Sequence, residues 1–268
     1  MSYLVAFLVP IIGFWSLSNE GILSFSLLIY GFIGLSLIDA IIGKKTRKLI
    51  RQEQDRLSTQ VFYKWFLRIM LPLHVLGLVY FFIQLDHSPD TLTTIGHILT
   101  YGIMCGVMGI NVAHELGHKN NPVDLFFAKS LLLCCLYMHF HIEHNRGHHK
   151  NVGKPNEPGT AKLEESLYAF YVRAIIAVFT NAWKLEKDRL LKNNIEAWSL
   201  KNQMIRFMLI QLGFVALLAI SVGWLYTLYF FFAAFIGILL LEAINYIEHY
   251  GLKRLEIKPD IYESVAPR

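Results

Sequence analysis

Along the chain, long apolar runs alternate with shorter polar stretches. A bilayer core needs about 20 mostly apolar residues per helix, and six runs meet or approach that length: 3–17, 21–43, 65–85, 92–113, 205–223 and 226–247. The first contains Pro10, which lacks an N–H donor and predicts a kinked or tilted start. A further apolar run, 123–140, carries Asp124 and Lys129 and reads as an interfacial or partly buried helix. The pattern predicts an all-α, polytopic membrane protein forming one integral domain over 1–268. Its long polar loops fall at 44–64 and 114–204, and its tail at 248–268.

Composition agrees, with 54% of residues hydrophobic and 17% charged, where soluble domains carry about 25% charged residues. Disorder and a routine soluble domain are excluded. The formal net charge of +5 is a topology signal rather than a nucleic-acid signature. Of the 25 Lys and Arg, eight fall in 44–68, thirteen in 119–206 and four in 253–268, with none in the short connections. By the positive-inside rule, both termini and both long loops are expected on the cytoplasmic side. The run from Lys44 to Arg56 is also placed to attract anionic lipid headgroups. The first apolar run lacks a basic leader and a small-residue cleavage site, so no secretory signal is expected. Cys105, Cys134 and Cys135 sit in apolar surroundings without a C-x-x-C spacing and read as packing thiols, so any electrons must come from a partner.

Eight of the eleven histidines lie on the predicted cytoplasmic side. His74 and His97 fall within spans and read as packing or substrate-path residues, and His87 lies on the far side. Imidazoles gathered on one face suggest a shared cation or a proton relay. His-Glu-Leu-Gly-His-Lys over 114–119 places His114 and His118 at i and i+4, one above the other if the fourth helix continues. By itself this is the H-E-x-x-H of zinc proteases, with Glu115 as base. Glu-His-Asn-Arg-Gly-His-His over 143–149 repeats the spacing with His144 and His148, and His149 adds a neighbouring direction. Five imidazoles exceed what one catalytic zinc uses, and nitrogen-rich sites with open positions suit non-haem iron and dioxygen chemistry. His249, in Asn-Tyr-Ile-Glu-His-Tyr-Gly over 245–251, stands where the last span meets the cytoplasmic surface.

Together these three motifs, with Pro155, Pro158 and Glu165–Phe170 between them, resemble the membrane-bound alkane hydroxylases, or alkane 1-monooxygenases. The resemblance covers nearly the whole chain. It implies a fatty acid desaturase-like helical fold and a non-haem site of two iron ions held by His114, His118, His144, His148, His149 and His249. It also implies O2-dependent terminal hydroxylation of medium-chain alkanes in the bacterial inner membrane, with electrons from rubredoxin and its reductase. Glu115, Glu143, Glu248 and His139 are the residues expected to orient those imidazoles. Asp39, at membrane depth, is a further suspect. The family pattern continues with an H-x-x-H-H box, and this chain ends at Arg268 without one. The expectation is therefore a truncated chain whose own turnover is in doubt. A fatty acyl desaturase, another histidine-box hydroxylase and an inactive metal-binding membrane fragment stand as alternatives. The three-residue gap between His144 and His148 favours the hydroxylase over a desaturase.

Overall fold

The computed structural model describes residues 2–42, 61–119, 121–155, 157–259 and 261–264. The basic run Lys44–Arg56 and the side chain of Asp39 lie outside the described residues. The protein is an all-α membrane protein. Helix α1 is Ser2–Leu17, and α2 runs from a 3-10 turn at Gly21–Phe25 through a π segment at Tyr30–Gly34 to Leu35–Ile42. Helix α3 is Val61–Asp86. Helix α4 runs from Thr91–Met104 through a π segment, Cys105–Asn111, to Val112–Gly117. Helix α5 is Pro122–Cys134. Helix α6 comprises Phe140–Glu143, a π segment at His144–His148 and His149–Asn151. Helices α7, α8 and α9 are Leu167–Lys192, Gln203–Val222 and Trp224–His249. A short antiparallel hairpin pairs β1, Glu256–Lys258, with β2, Ile261–Tyr262.

Among the described residues, five helical stretches are long and apolar enough to cross a bilayer: Gly21–Ile38, Tyr63–Asp86, Thr91–Gly117, Gln203–Val222 and Trp224–His249. The first apolar run, 3–17, forms the short helix that its length suggests. Its 16-residue helix spans roughly 24 Å at 1.5 Å per residue, short of the roughly 30 Å hydrocarbon core. The fourth span, in contrast, continues past residue 113 to Gly117, which carries His114 on the same helix and leaves His118 as its C-cap.

The chain packs as two compact units. One comprises residues 1–135 with 218–237, the other 136–217 with 238–268. In the first, α4 starts where Asp90 accepts the Thr93 N–H at 2.7 Å, and α5 starts where Asn121 caps Val123 at 2.9 Å with Pro122 in the first turn. Helices α4 and α9 approach closely through glycine. A Cβ at Gly102 would stand 2.7 Å from Ile236, and one at Gly237 would stand 2.7 Å from Cys105 Cβ. Such small-residue contacts are how membrane helices gain packing without a hydrophobic drive between them. Apolar side chains left exposed on α8, such as Leu209, Leu212 and Ile220, are the lipid-facing remainder.

Asp124, at the start of α5, is buried and meets Arg68 of α3 at 2.8 Å. Removing one member of a buried pair strands the other charge, at about 3–5 kcal/mol. Asp124→Ala is therefore expected to lower the thermal unfolding midpoint of the detergent-solubilised protein by several degrees, while Arg68→Met with Asp124→Leu recovers most of the loss. A single substitution that melts like the parent protein sinks this assignment.

In the second unit, Ser166 caps α7 by accepting the Ala169 N–H at 3.3 Å. Phe170 and Ala174 of α7 pack with Ala161, and Tyr246 of α9 lies against them. The Tyr246 hydroxyl donates to the Glu165 carbonyl at 2.6 Å, fixing the 152–165 loop to the end of α9. Gly153 takes φ +79°, and its carbonyl accepts the Arg254 N–H at 2.8 Å. A side chain is disfavoured in that left-handed conformation.

Candidate metal centre

At the end of α4, the α-helical turn after the π segment stacks His114 and His118 on one face. Their Nε2 atoms stand 2.8 Å apart with the rings perpendicular. This is the i, i+4 pair that the spacing predicts. Glu115 lines a cavity of about 300 Å³ alongside His114, Tyr63, Phe66, Met70 and Met108. The wall is mostly aromatic and aliphatic.

The second motif departs from its expected pairing. His144–His148 is π-helical, so the extra residue per turn brings His144 over His149 instead of His148. The Nε2 atoms of His144 and His149 are 2.8 Å apart, while His144 and His148 only stack, centroids 5.2 Å apart. Gly147 makes the turn possible against α7. A Cβ there would lie 2.5 Å from Glu143 Oε1 and 2.9 Å from Asn181 Nδ2.

His148 is held separately. Its Nδ1 stands 2.9 Å from Glu157 Oε1, and since an ionised carboxylate only accepts, Nδ1 carries the proton and Nε2 is left as the donor atom. Glu157 is itself pinned: Oε1 also accepts the Gly159 N–H at 2.9 Å, and Oε2 accepts the Thr160 hydroxyl. Burial disfavours the His148 imidazolium, but the hydrogen bond and charge of Glu157 outweigh burial and raise its pKa. Burial likewise opposes the Glu157 carboxylate, and His148, Thr160 and Gly159 together hold its pKa below the usual range. The His249 ring lies beside His148, centroids 5.0 Å apart.

The four residues expected to orient imidazoles divide. Glu143 is buried and accepts from Asn181 Nδ2 at 3.0 Å, and burial pushes its carboxyl up to about 7. His139 lies between the Tyr137 and Phe179 rings, and burial pushes it down to about 4, which keeps it neutral. Glu248 is exposed, and Glu115 faces the cavity described above. Two carboxylates that the sequence did not single out are closer to the chemistry. Glu157 orients His148. Glu242 is fully buried in α9, accepting from the Tyr137 hydroxyl at 3.1 Å and Asn245 at 3.2 Å. It stands seven residues before His249, on the same helical face. A carboxylate inside a membrane-spanning run was the readable signal for Glu242; nothing local marks Glu157.

Arginines lock this unit. Arg173 clasps Glu165 through two bonds of 2.7 and 2.8 Å and donates to the Pro158 and Thr160 carbonyls, bracing the loop that carries Glu157. Arg146 of the second motif and Arg189 both bind the buried Glu186 of α7, at 2.7 and 2.6 Å. Burial works to raise the Glu186 pKa, but Arg189, the Gln203 N–H and Arg146 outweigh it and hold it below 4.5. A lowered carboxyl contributes stability above its unfolded value and loses it as pH falls through its folded value. Denaturation at pH 7 and at pH 3.5 is expected to show a smaller acid-induced loss for Glu186→Gln than for the parent. Equal losses contradict this.

Two donors at right angles around a six-coordinate ion, each about 2.1 Å away, stand about 3 Å apart. The His114/His118 and His144/His149 pairs lie near that spacing, and gathered imidazoles suit non-haem iron, so these residues fit that ion. The fatty acid desaturase family matches residues 91–266. Alkane 1-monooxygenase 2 of Pseudomonas aeruginosa is 31% identical over 99% of this chain, which covers 72% of that protein. The chain belongs to the alkane 1-monooxygenase family. The alkane 1-monooxygenase of Ectopseudomonas oleovorans is 33% identical over 96% of this chain, which spans 65% of that relative's length. More distant is the xylene/toluene monooxygenase hydroxylase component of Pseudomonas putida, 25% identical over 70% of this chain.

Proposed function

We propose that this alkane 1-monooxygenase family member hydroxylates the terminal carbon of medium-chain alkanes, at a site where His114, His118, His144, His148, His149 and His249 hold two non-haem irons. The observation that carries this reading is the pair of 2.8 Å Nε2 contacts, one in each of two motifs. The alkane 1-monooxygenase names of the relatives support alkanes as the substrate class. Bound iron would supply the activation of O2 that side chains alone cannot perform. In the balanced reaction, alkane, O2, two electrons and two protons give the primary alcohol and water.

The chain's own residues do the rest. Glu157 keeps His148 in one tautomer and orientation, and Arg173 keeps the Glu157 loop in place. The cavity beside His114 offers an apolar wall to a hydrocarbon and few polar groups to water. The basic residues of 119–206 offer a docking face to an acidic rubredoxin, the proposed electron donor. The clustering of basic residues in that stretch supports a site on the cytoplasmic side of an inner membrane. Octane supplied with rubredoxin and its reductase in proteoliposomes is the test: 1-octanol formation supports the reading, and a desaturated or unchanged chain contradicts it.

A further inference from the structure

His74 of α3, Cys105 of α4 and Cys135, just past α5, converge inside the first unit, their donor atoms all within 4.8 Å of one another. We propose that these three residues form a separate, sulfur-containing site that binds one zinc ion. From sequence alone the cysteines read as packing thiols, but the geometry is that of ligands. Cys135 Sγ lies 3.6 Å from His74 Nε2. Tetrahedral zinc, with bonds near 2.05 Å to nitrogen and 2.3 Å to sulfur, sets that edge at about 3.6 Å.

Three features separate this cluster from ordinary core packing. All three residues are wholly buried. His74 is poorly used as a packing histidine: its Nδ1 has no hydrogen-bond partner, and Nε2 has only long contacts to Cys135 and to the Tyr101 hydroxyl at 3.4 Å. The surrounding backbone leaves space for the donors. A Cβ at Gly109 would press on Cys135 Sγ and lie 3.4 Å from His74 Nε2. Cys105 also opens the π segment Cys105–Asn111, and π turns occur frequently at functional sites.

Charge decides which cation. Two thiolates, a neutral imidazole and Zn²⁺ sum to zero, which suits a site within membrane-spanning helices, where net charge is costly. A monovalent soft ion such as Cu⁺ leaves a negative charge or a retained thiol proton. Binding forms two Zn–S bonds and one Zn–N bond and releases both thiol protons. The Tyr101 hydroxyl and the Cys105 carbonyl, which lies 3.4 Å from Cys135 Sγ, are oxygens at hand for the fourth position. The ion ties α3, α4 and the end of α5 together.

This site does not depend on the iron reading. The full chain, purified with zinc in the medium, is examined by X-ray absorption at the zinc edge. Two sulfur scatterers near 2.3 Å are expected, and none of the six box residues offers sulfur, so that shell reports this site alone. Cys105→Ser and Cys135→Ser are each expected to lose the sulfur shell and the zinc, while Cys134→Ser keeps both, with helix content checked by circular dichroism. A zinc shell of nitrogen and oxygen alone in the parent protein overturns the proposal, as does a sulfur shell surviving in folded Cys105→Ser. Sulfur seen at the copper edge and not at the zinc edge overturns the choice of ion. If a serine variant loses its helices, the parent spectrum alone decides.

Discussion

His144→Ala is expected to cut alkane hydroxylation at least 100-fold and to lower bound iron. His144 is buried, and its Nε2 meets that of His149 at 2.8 Å across a π turn. Alanine removes one nitrogen donor and with it one arm of the pair. Losing even a residue that only orients a metal ligand costs about 10–100-fold, so losing a ligand costs more. His149→Ala is expected to behave alike. His141→Ala is the control: it shares helix α6, and its iron and activity are expected to match the parent. If His144→Ala retains full iron and turnover, the π-turn pair is a hydrogen bond and not a ligand pair.

Glu157→Ala is expected to lower iron affinity and turnover by about 10–100-fold, without loss of a ligand. Its carboxylate fixes the tautomer and ring plane of His148, and two further contacts, to Gly159 and Thr160, fix the carboxylate. The substitution also leaves the Gly159 N–H without its acceptor, at about 1–3 kcal/mol. Two measurements separate positioning from simple destabilisation. Glu157→Gln, which keeps an acceptor but not the charge, is expected to restore part of the iron affinity, and excess iron is expected to restore the activity of Glu157→Ala more than that of His144→Ala. A Glu157→Ala protein with parent-like iron affinity sinks the assignment.

The contrast between His118 and Glu157 shows what the sequence made legible. The spans, and the His114/His118 pair, follow from local rules: apolar length and the i, i+4 spacing of an α-helix. The His144/His149 pair was hidden because the same local rule, applied to His144–His148, presumes an α-turn where the chain makes a π turn. Gly147, which lets α6 approach Asn181 of α7, is the physical condition for it, and its neighbour across the gap is not local in sequence. Glu157 lies nine residues from His148 with a turn between them, and Arg68 lies 56 residues from Asp124. Such pairings are set by tertiary packing. The Glu242 carboxylate was visible as an anomaly in an apolar run, but its Tyr137 partner was not, being 105 residues away. The short α1 was readable throughout: the apolar run 3–17 stops where helix Ser2–Leu17 stops.

Whether the histidines hold two irons is decided by the iron content of the purified full chain, measured by mass spectrometry after expression with iron and zinc both present. About two irons per chain are expected, fewer in His144→Ala and as many in Cys105→Ser. A chain without iron, or iron that stays at the parent level in His144→Ala, would contradict the di-iron reading.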